Sequence, residues 1–356
     1  MELRELFGRY LVPLLKKYGN TYSDDQRSAL WAILHCRTHQ LGNIVYNCPD
    51  CGEVHLTPHS CGNRHCPKCH HHSTVAWLER RQQKLIPTKY YLITFTVPCE
   101  LRPAVFANQR IAYNLMFEAA KQTINTVAAN RRHLGATPGF TAVLHTHSRR
   151  LDFHPHIHIV MPGGGIRGNQ WISKSQKHLF PYDVIKALFR GKLLSFFKQN
   201  HIAFDKSVYN KKWAENIKPV GNGAPALKYL SMYLNKGVIQ DKNILCDIDG
   251  VITFQYFDST DKRWKKRSLP ALEFLHLILQ HVLPKGFRRT RDYGFLHGNA
   301  QKTLHQIQLL LKAAPPLIET KPPSRPLCPN CDLVMIIIAC KVFATQNTPQ
   351  KMRAPP

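Results

Sequence analysis

Between Leu151 and Gly165 the chain reads LDFHPHIHIVMPGGG, so that His154, His156 and His158 occupy every second position of an apolar run. Side chains two apart on a strand share a face. His156 and His158 therefore point the same way, with Ile157 packing beneath. His154 joins them only if the strand begins early, and Pro155, which lacks a backbone donor, marks an edge or a strand start. The preceding run TAVLHTH can fold back as an antiparallel neighbour across a turn at Ser148 to Asp152, which brings His145, eleven residues before His156, to the same pocket. Three imidazoles gathered in this way make a metal site. Imidazole alone favours zinc or copper-type ions, yet a site half open to water and phosphate oxygens can work with Mg²⁺ or Mn²⁺. Ordinary hydrogen-bonded histidines are the competing reading, and they explain a single His better than an alternating pair. HPHIHIV also fits the His-x-His-x-His pattern of histidine-triad nucleotide hydrolases, but those are small single domains without the other features of this chain.

Charge narrows the choice of partner. In 356 residues, 49 Lys plus Arg stand against 22 Asp plus Glu, a net +27. Such an excess is self-repelling unless a polyanion is nearby, and nucleic acid is the usual one. The N-terminal MELRELFGRYLVPLLKKYGN mixes charges into its apolar positions and reads as an amphipathic helix, so export is not expected and the cytoplasm is. The longest apolar run, LVMIIIA from Leu333 to Ala339, is far short of the ~20 residues that cross a bilayer.

Most of the eleven cysteines fall in CxxC pairs, which in a reducing compartment favours metal thiolates over disulfides. NCPDCGEVHLTPHSCGNRHCPKCH places Cys48 and Cys51, then Cys66 and Cys69, with fourteen residues between the pairs. Each CxxC bends two thiolates toward one point, and two such knuckles complete a tetrahedral zinc site. Cys48, Cys51, Cys66 and Cys69 are the expected ligands. Cys61 or His65 can replace one of them, or support a second ion with Cys36. Four protein ligands leave no open position, so the site organises a small domain and does no chemistry. Its neighbours Arg64, Lys68, Arg80, Arg81 and Lys84 can face phosphates. Cys328 and Cys331, in CPNC, are half a site that needs further ligands such as Cys340.

The rest of the pattern is α+β. Residues 1 to about 35 read as two helices with Ser23 capping the second, then a cysteine-rich loop region runs to His72. STVAWLERRQQKLI has helical period and KYYLITFTVP a β-rich one. Helices follow around Asn108 to Asn130, at Tyr182 to Asn200, from Ala226 and over Leu269 to Val282, with strands at FTAVLHTH, the His run and GVITFQYFD. The expected domains are 1–86, helical and zinc-binding; 87–240, the catalytic core; 241–312, DNA contacts; and 313–356, a Pro-rich tail, poorly packed apart from its CPNC.

In ALKYLSMYLNKG, Tyr229 and Tyr233 are four apart, one helical turn of ~5.4 Å on one face. Tyrosine with a free pKa of ~10 is a poor nucleophile and needs a cation and a polarised phosphate. The His-bound ion can polarise the phosphate, and Lys228 and Lys236 flank the pair. Two aromatics at this spacing are by themselves ordinary core packing. Together with a metal strand and a large positive charge they are the parts that cut single-stranded DNA by transesterification, joining tyrosine to the 5′ phosphate and freeing a 3′ hydroxyl.

CRT…CPDCG…SCGNRHCPKC, LITFTVP, HLGATPGFTAVLHTHSRRLDFHPHIHIVMPGGG, KYLSMYL and HVLPKGFRRTRDYGFL give the chain a likeness over nearly its whole length. It resembles the rolling-circle transposases of the IS-ninety-one insertion-sequence family, two-tyrosine members of the HUH (His, hydrophobic, His) endonucleases. The resemblance implies a five-stranded antiparallel sheet with helices, the His strand central and the tyrosine helix over it, preceded by a helical and zinc-ribbon-like N-terminal domain. It places the metal pair on His156 and His158, with His145 third by analogy to related relaxases, and the nucleophiles on Tyr229 and Tyr233. It implies structural Zn²⁺, catalytic Mg²⁺ or Mn²⁺, single-stranded element ends as substrate, and action at the bacterial nucleoid. Arg288, Arg289 and Arg291, interleaved with Tyr293, offer cations for phosphates and a ring for stacking bases. A plasmid or phage replication initiator with the same chemistry is the close alternative, and an inactive zinc-dependent DNA-binding protein the alternative of another class. A carboxylate-triad nuclease is disfavoured, since no cluster stands out among the 22 acidic residues.

Overall fold

The computed structural model describes residues 1–69, 71–174, 179–211, 213–234, 237–258, 261–313 and 325–341. From the N-terminus come α1 (Leu3–Tyr18), α2 (Asp24–Leu34), β1 (Asn43–Asn47), β2 (Val54–Pro58) and α3 (His71–Gln82). Then follow β3 (Tyr90–Thr96), α4 (Arg102–Ala107), α5 (Gln109–Ala129), β4 (Phe140–His147), β5 (Phe153–Pro162), β6 (Gly164–Arg167), β7 (Gln170–Ser173), α6 (Tyr182–Gln199), β8 (Ala214–Pro219) and α7 (Ala224–Leu234). The remainder holds β9 (Ile244–Ile248), β10 (Val251–Asp258), β11 (Arg263–Pro270), α8 (Ala271–Gln280), β12 (Thr290–Tyr293), α9 (Gln301–Leu310) and β13 (Ile336–Lys341). This is the expected α+β class. Two compact units divide it, and both are discontinuous in sequence: a cysteine unit of residues 1–71, 235–282 and 317–356, and a histidine unit of residues 72–234 and 283–316. The domains expected from the sequence are, by contrast, consecutive stretches.

The histidine unit is built on five antiparallel strands in the order β12-β4-β5-β3-β8, with the His strand β5 in the middle. Its pleat sorts side chains cleanly. Ile157, Ile159 and Met161 of β5, Tyr91, Ile93 and Phe95 of β3, and Phe140, Ala142 and Leu144 of β4 share one core with Phe117 of α5 and Phe189 of α6. On the other face Val160, Tyr90 and Val143 pack with Leu227 and Leu230 of α7, Trp77 of α3 and Ile307 of α9. Both faces of β5 are covered, so the strand reads as a nearly continuous apolar run that only the imidazoles interrupt.

Asp292 on β12 locks α3 to this sheet. Its carboxylate accepts from the Thr141 hydroxyl at 2.8 Å and pairs with Lys84 at 2.8 Å and Arg81 at 3.2 Å. The Arg81 and Asp292 side chains are only 16% and 10% exposed. Two cations offered by the sequence to phosphates are thus spent on a mostly buried carboxylate, and Lys68 is spent on Glu2 at 2.5 Å. Asp292→Asn leaves Arg81 and Lys84 without their counter-charge, and we expect a loss of ~2 kcal/mol in unfolding free energy. An unchanged urea midpoint would contradict this account.

In the cysteine unit, Ser23 caps α2 as expected: its hydroxyl accepts from the Gln26 N–H at 3.3 Å, and the Gln26 side chain accepts from the Ser23 N–H at 2.8 Å. The region read as a cysteine-rich loop contains the β1–β2 hairpin. The unit has two antiparallel sheets, β11-β10-β9 and β13-β1-β2. Residues 325–341 correct the expectation of a poorly packed tail, because β13 pairs with β1 from Asn43 opposite Lys341 to Asn47 opposite Ile336. Three consecutive isoleucines favour a strand, and β1 supplies the open ladder edge. Among the described residues no helix is long and apolar enough to cross a membrane.

Candidate active site and metal centres

The turn at Ser148 to Asp152 closes through Ser148 N–H to the Asp152 carbonyl at 2.9 Å, and it folds β4 back on β5 with His145 directly opposite His156. His145, His156 and His158 then share the pleat face that α7 covers. Their ligand nitrogens lie within 4.8 Å of one another, and all three side chains are buried. The His156 Nδ1–H donates to the His154 carbonyl at 2.6 Å, and His158 Nδ1 is bonded to the Thr94 hydroxyl at 2.9 Å. A carbonyl only accepts, so His156 keeps its proton on Nδ1 and leaves the Nε2 lone pair for a ligand. His154 lies on β5 and contributes this carbonyl, and its imidazole is not among the converging nitrogens. Thr94, opposite His158 on β3, is a contact of the cluster that sequence reasoning missed, because only the strand register reveals it.

Burial, followed by the proximity of the neighbouring rings, holds the His145 and His156 imidazoles well below the usual histidine range, and burial holds His158 at about 4. Neutral imidazoles are the form that binds metal. Between pH 6.5 and 4 an unfolded chain takes up protons that the folded one refuses, so stability falls as pH falls through that window. For His158 alone the loss between pH 6.5 and about pH 5 is ~2 kcal/mol in metal-free protein. Denaturant midpoints at stepped pH should show the slope, and His158→Gln should make it shallower by the His158 share, leaving the part due to His145 and His156.

The tyrosine helix α7 lies on this same face. Tyr229 packs against the apolar cluster beneath α7, and its ring meets His158 edge-on at 6.3 Å between centroids. The helix starts tight against β3: Gly223 has φ +83°, and a Cβ there would stand 2.7 Å from the Tyr90 ring. Only glycine permits that approach. Tyr233 belongs to α7 by its backbone, its side chain falls outside the description, and Lys236 lies outside the described residues. Lys228 and Arg288 are exposed. The Arg289 carbonyl accepts from the Leu144 N–H at 2.9 Å. Arg291 lies opposite Ala142, on the pleat face away from the imidazoles, where it stacks 4.2 Å over Phe117 and bonds Asn114. Tyr293 is packed on Phe140 at 5.0 Å.

The cysteines pair otherwise than their spacing implies. Cys66 and Cys69 gather with Cys36 and Cys61, whereas Cys48 and Cys51 gather with Cys328 and Cys331. The single site of Cys48, Cys51, Cys66 and Cys69 is therefore corrected. Its physical obstacle is the β1–β2 hairpin: Cys48 and Cys51 sit at its turn, Cys36 and Cys61 beyond its open end, and five paired residues span ~17 Å. His65 is buried but belongs to neither group, and Cys340 is likewise outside both. In the first group Cys36 and Cys69 sulfurs are 3.4 Å apart, and Cys61 and Cys69 3.5 Å. Thiolates ~2.3 Å from a tetrahedral zinc stand ~3.8 Å from one another, whereas disulfide sulfurs are ~2.05 Å apart. The donors fit zinc. Neighbouring sulfurs, Cys61 foremost, bring the Cys36 thiol down to about 7, and Cys36 foremost drives Cys69 far below the usual range.

Two stretches of the chain match known families. Residues 6–97 match the family described as "Transposase zinc-binding domain", and residues 139–303 the family described as "Putative transposase". The chain is 34% identical over 350 residues to "Putative transposase y4qJ" of Sinorhizobium fredii, which covers 89% of this chain and 88% of the relative. It is 27% identical over 285 residues to "Transposase for insertion sequence element IS801" of Pseudomonas savastanoi pv. phaseolicola, 74% of this chain and 68% of that one. No solved structure matches. The zinc-binding match and the clustered thiols support structural zinc. With DNA the substrate of such cleaving and transferring enzymes, the chain belongs to the IS91 family of insertion-sequence transposases and carries an N-terminal zinc-binding domain.

Proposed function

We propose that this transposase nicks one strand of single-stranded DNA at the ends of its element by tyrosine transesterification and passes that strand on in rolling-circle transposition. The Tyr229 phenol loses its proton and its oxygen attacks the phosphorus. The bond from phosphorus to the 3′ oxygen breaks, and that oxygen takes up a proton. The products are a 5′-phosphotyrosine and a free 3′ hydroxyl, so the ester energy is kept for rejoining. An Mg²⁺ or Mn²⁺ ion at His145, His156 and His158 would neutralise charge on the phosphate oxygens. The three histidines would hold such an ion, Thr94 and the His154 carbonyl orient His158 and His156, and Lys228 is an exposed cation on the tyrosine helix. Tyr233, one turn along α7, is the second nucleophile for transfer.

The observation that carries this reading is the edge contact of Tyr229 with His158 at 6.3 Å, which sets a phenol beside a buried three-imidazole cluster. The test is incubation with labelled single-stranded DNA from the element's end, followed by denaturing electrophoresis. A covalent adduct is expected with Mg²⁺ or Mn²⁺ and none with EDTA. Intact DNA binding with no adduct under any divalent metal would overturn the reading in favour of a zinc-dependent DNA-binding protein.

A further inference from the structure

The chain repeats a short pattern at two distant places, CPDCGE from Cys48 and CPNCDL from Cys328. The two fold alike. The Cys48 N–H donates to the Glu53 carbonyl at 2.8 Å and the Gly52 N–H to the Cys48 carbonyl at 3.2 Å. The Cys328 N–H donates to the Leu333 carbonyl at 2.8 Å and the Asp332 N–H to the Cys328 carbonyl at 2.9 Å. The residue after the second cysteine is left-handed in both, Gly52 at φ +73° and Asp332 at φ +57°. Each knuckle thus curls two sulfurs toward one point, and the points coincide. Cys48 and Cys331 sulfurs are 3.4 Å apart, Cys51 and Cys328 3.4 Å, and Cys51 and Cys331 3.9 Å. These separations fit a shared tetrahedral ion and are far too long for a disulfide. Cys48 and Cys328 are buried together with Met335. The backbone N–H of Cys51 on the Cys48 sulfur brings that thiol to about 7, against the opposing effect of burial.

We propose that Cys48, Cys51, Cys328 and Cys331 hold a zinc ion of their own, separate from the one fitted by Cys36, Cys61, Cys66 and Cys69. The site is split, since its halves are 277 to 283 residues apart. The matched zinc-binding domain ends at residue 97 and holds only the first half. The ion therefore fastens residues 325–341 to the β1–β2 hairpin. Apart from it, among the described residues β13 has one ladder, with β1, and its Ile336, Ile337 and Ile338 remain 43% to 53% exposed.

Metal analysis of the full chain, purified under reducing conditions, loaded with zinc and counted after subtracting any ion lost in the His156→Ala with His158→Ala variant, should give two ions per chain. Cys328→Ser with Cys331→Ser should give one, and so should Cys48→Ser with Cys51→Ser. Cys340→Ser should keep both. The ion retained by each double variant reports that the rest of the unit is folded. In the Cys328/Cys331 variant, protease cleavage within 325–341 should speed up by ~10-fold or more. One zinc in the unaltered chain, or two in either double variant, would overturn the proposal. So would fewer than the eleven thiols of the sequence titrating in denatured, unreduced protein, with the missing pair among these four.

Discussion

Replacing both Tyr229 and Tyr233 by Phe is expected to abolish the covalent protein–DNA adduct, a fall of at least ~10⁴-fold in nicking rate. Phenylalanine keeps the ring, and so keeps the packing of position 229 under α7 and its edge contact with His158. Only the attacking oxygen is lost. Metal uptake and binding of the uncut strand should therefore be unchanged, which separates a missing nucleophile from a misfolded site. Peptide mapping of the unaltered adduct should place the nucleotide on Tyr229 or Tyr233. An adduct that survives in the double variant rules out this chemistry.

Truncating His156 or His158 to Ala should cost ~10³-fold or more in nicking, because the ion proposed to neutralise the phosphate would lose a ligand from a three-membered set. Thr94→Val tests how that set is held. It removes the hydroxyl bonded to His158 Nδ1 at 2.9 Å while preserving the strand, and a loss of ~10–100-fold in metal affinity is expected. A titration with Mn²⁺ should rescue Thr94→Val at high metal and leave His158→Ala inactive. Equal behaviour of the two variants would show that Thr94 does not orient the imidazole.

Local order was legible in the sequence where a short period fixed it. The alternation through His156 and His158, the turn at Ser148 to Asp152 and the Ser23 cap are all decided within about ten residues, and each stands where the sequence puts it. Long-range pairing was not. Two CxxC motifs fourteen residues apart look like one site, yet spacing cannot tell that a hairpin drives them apart, or that CPNC returns from the far end of the chain to complete one of them. Charge misled in the same way. Arg81 and Lys84 read as free cations until Asp292, more than two hundred residues on, is seen beneath them. The Ile336 to Ile338 run was visible as apolar, but its partner β1 was hidden among cysteines.

The sheet order β12-β4-β5-β3-β8 also sets a timetable for synthesis. A ribosome has delivered β3, β4, β5, β8 and α7 by residue 234, but β12 only from residue 290 onward. For more than fifty residues of translation the nascent polypeptide carries its phenol on α7 and its imidazoles on a four-stranded sheet, with the rim of β4 still bare. A message broken in that interval would yield a truncated product whose open rim can capture a strand from another molecule, and aggregation is its natural fate.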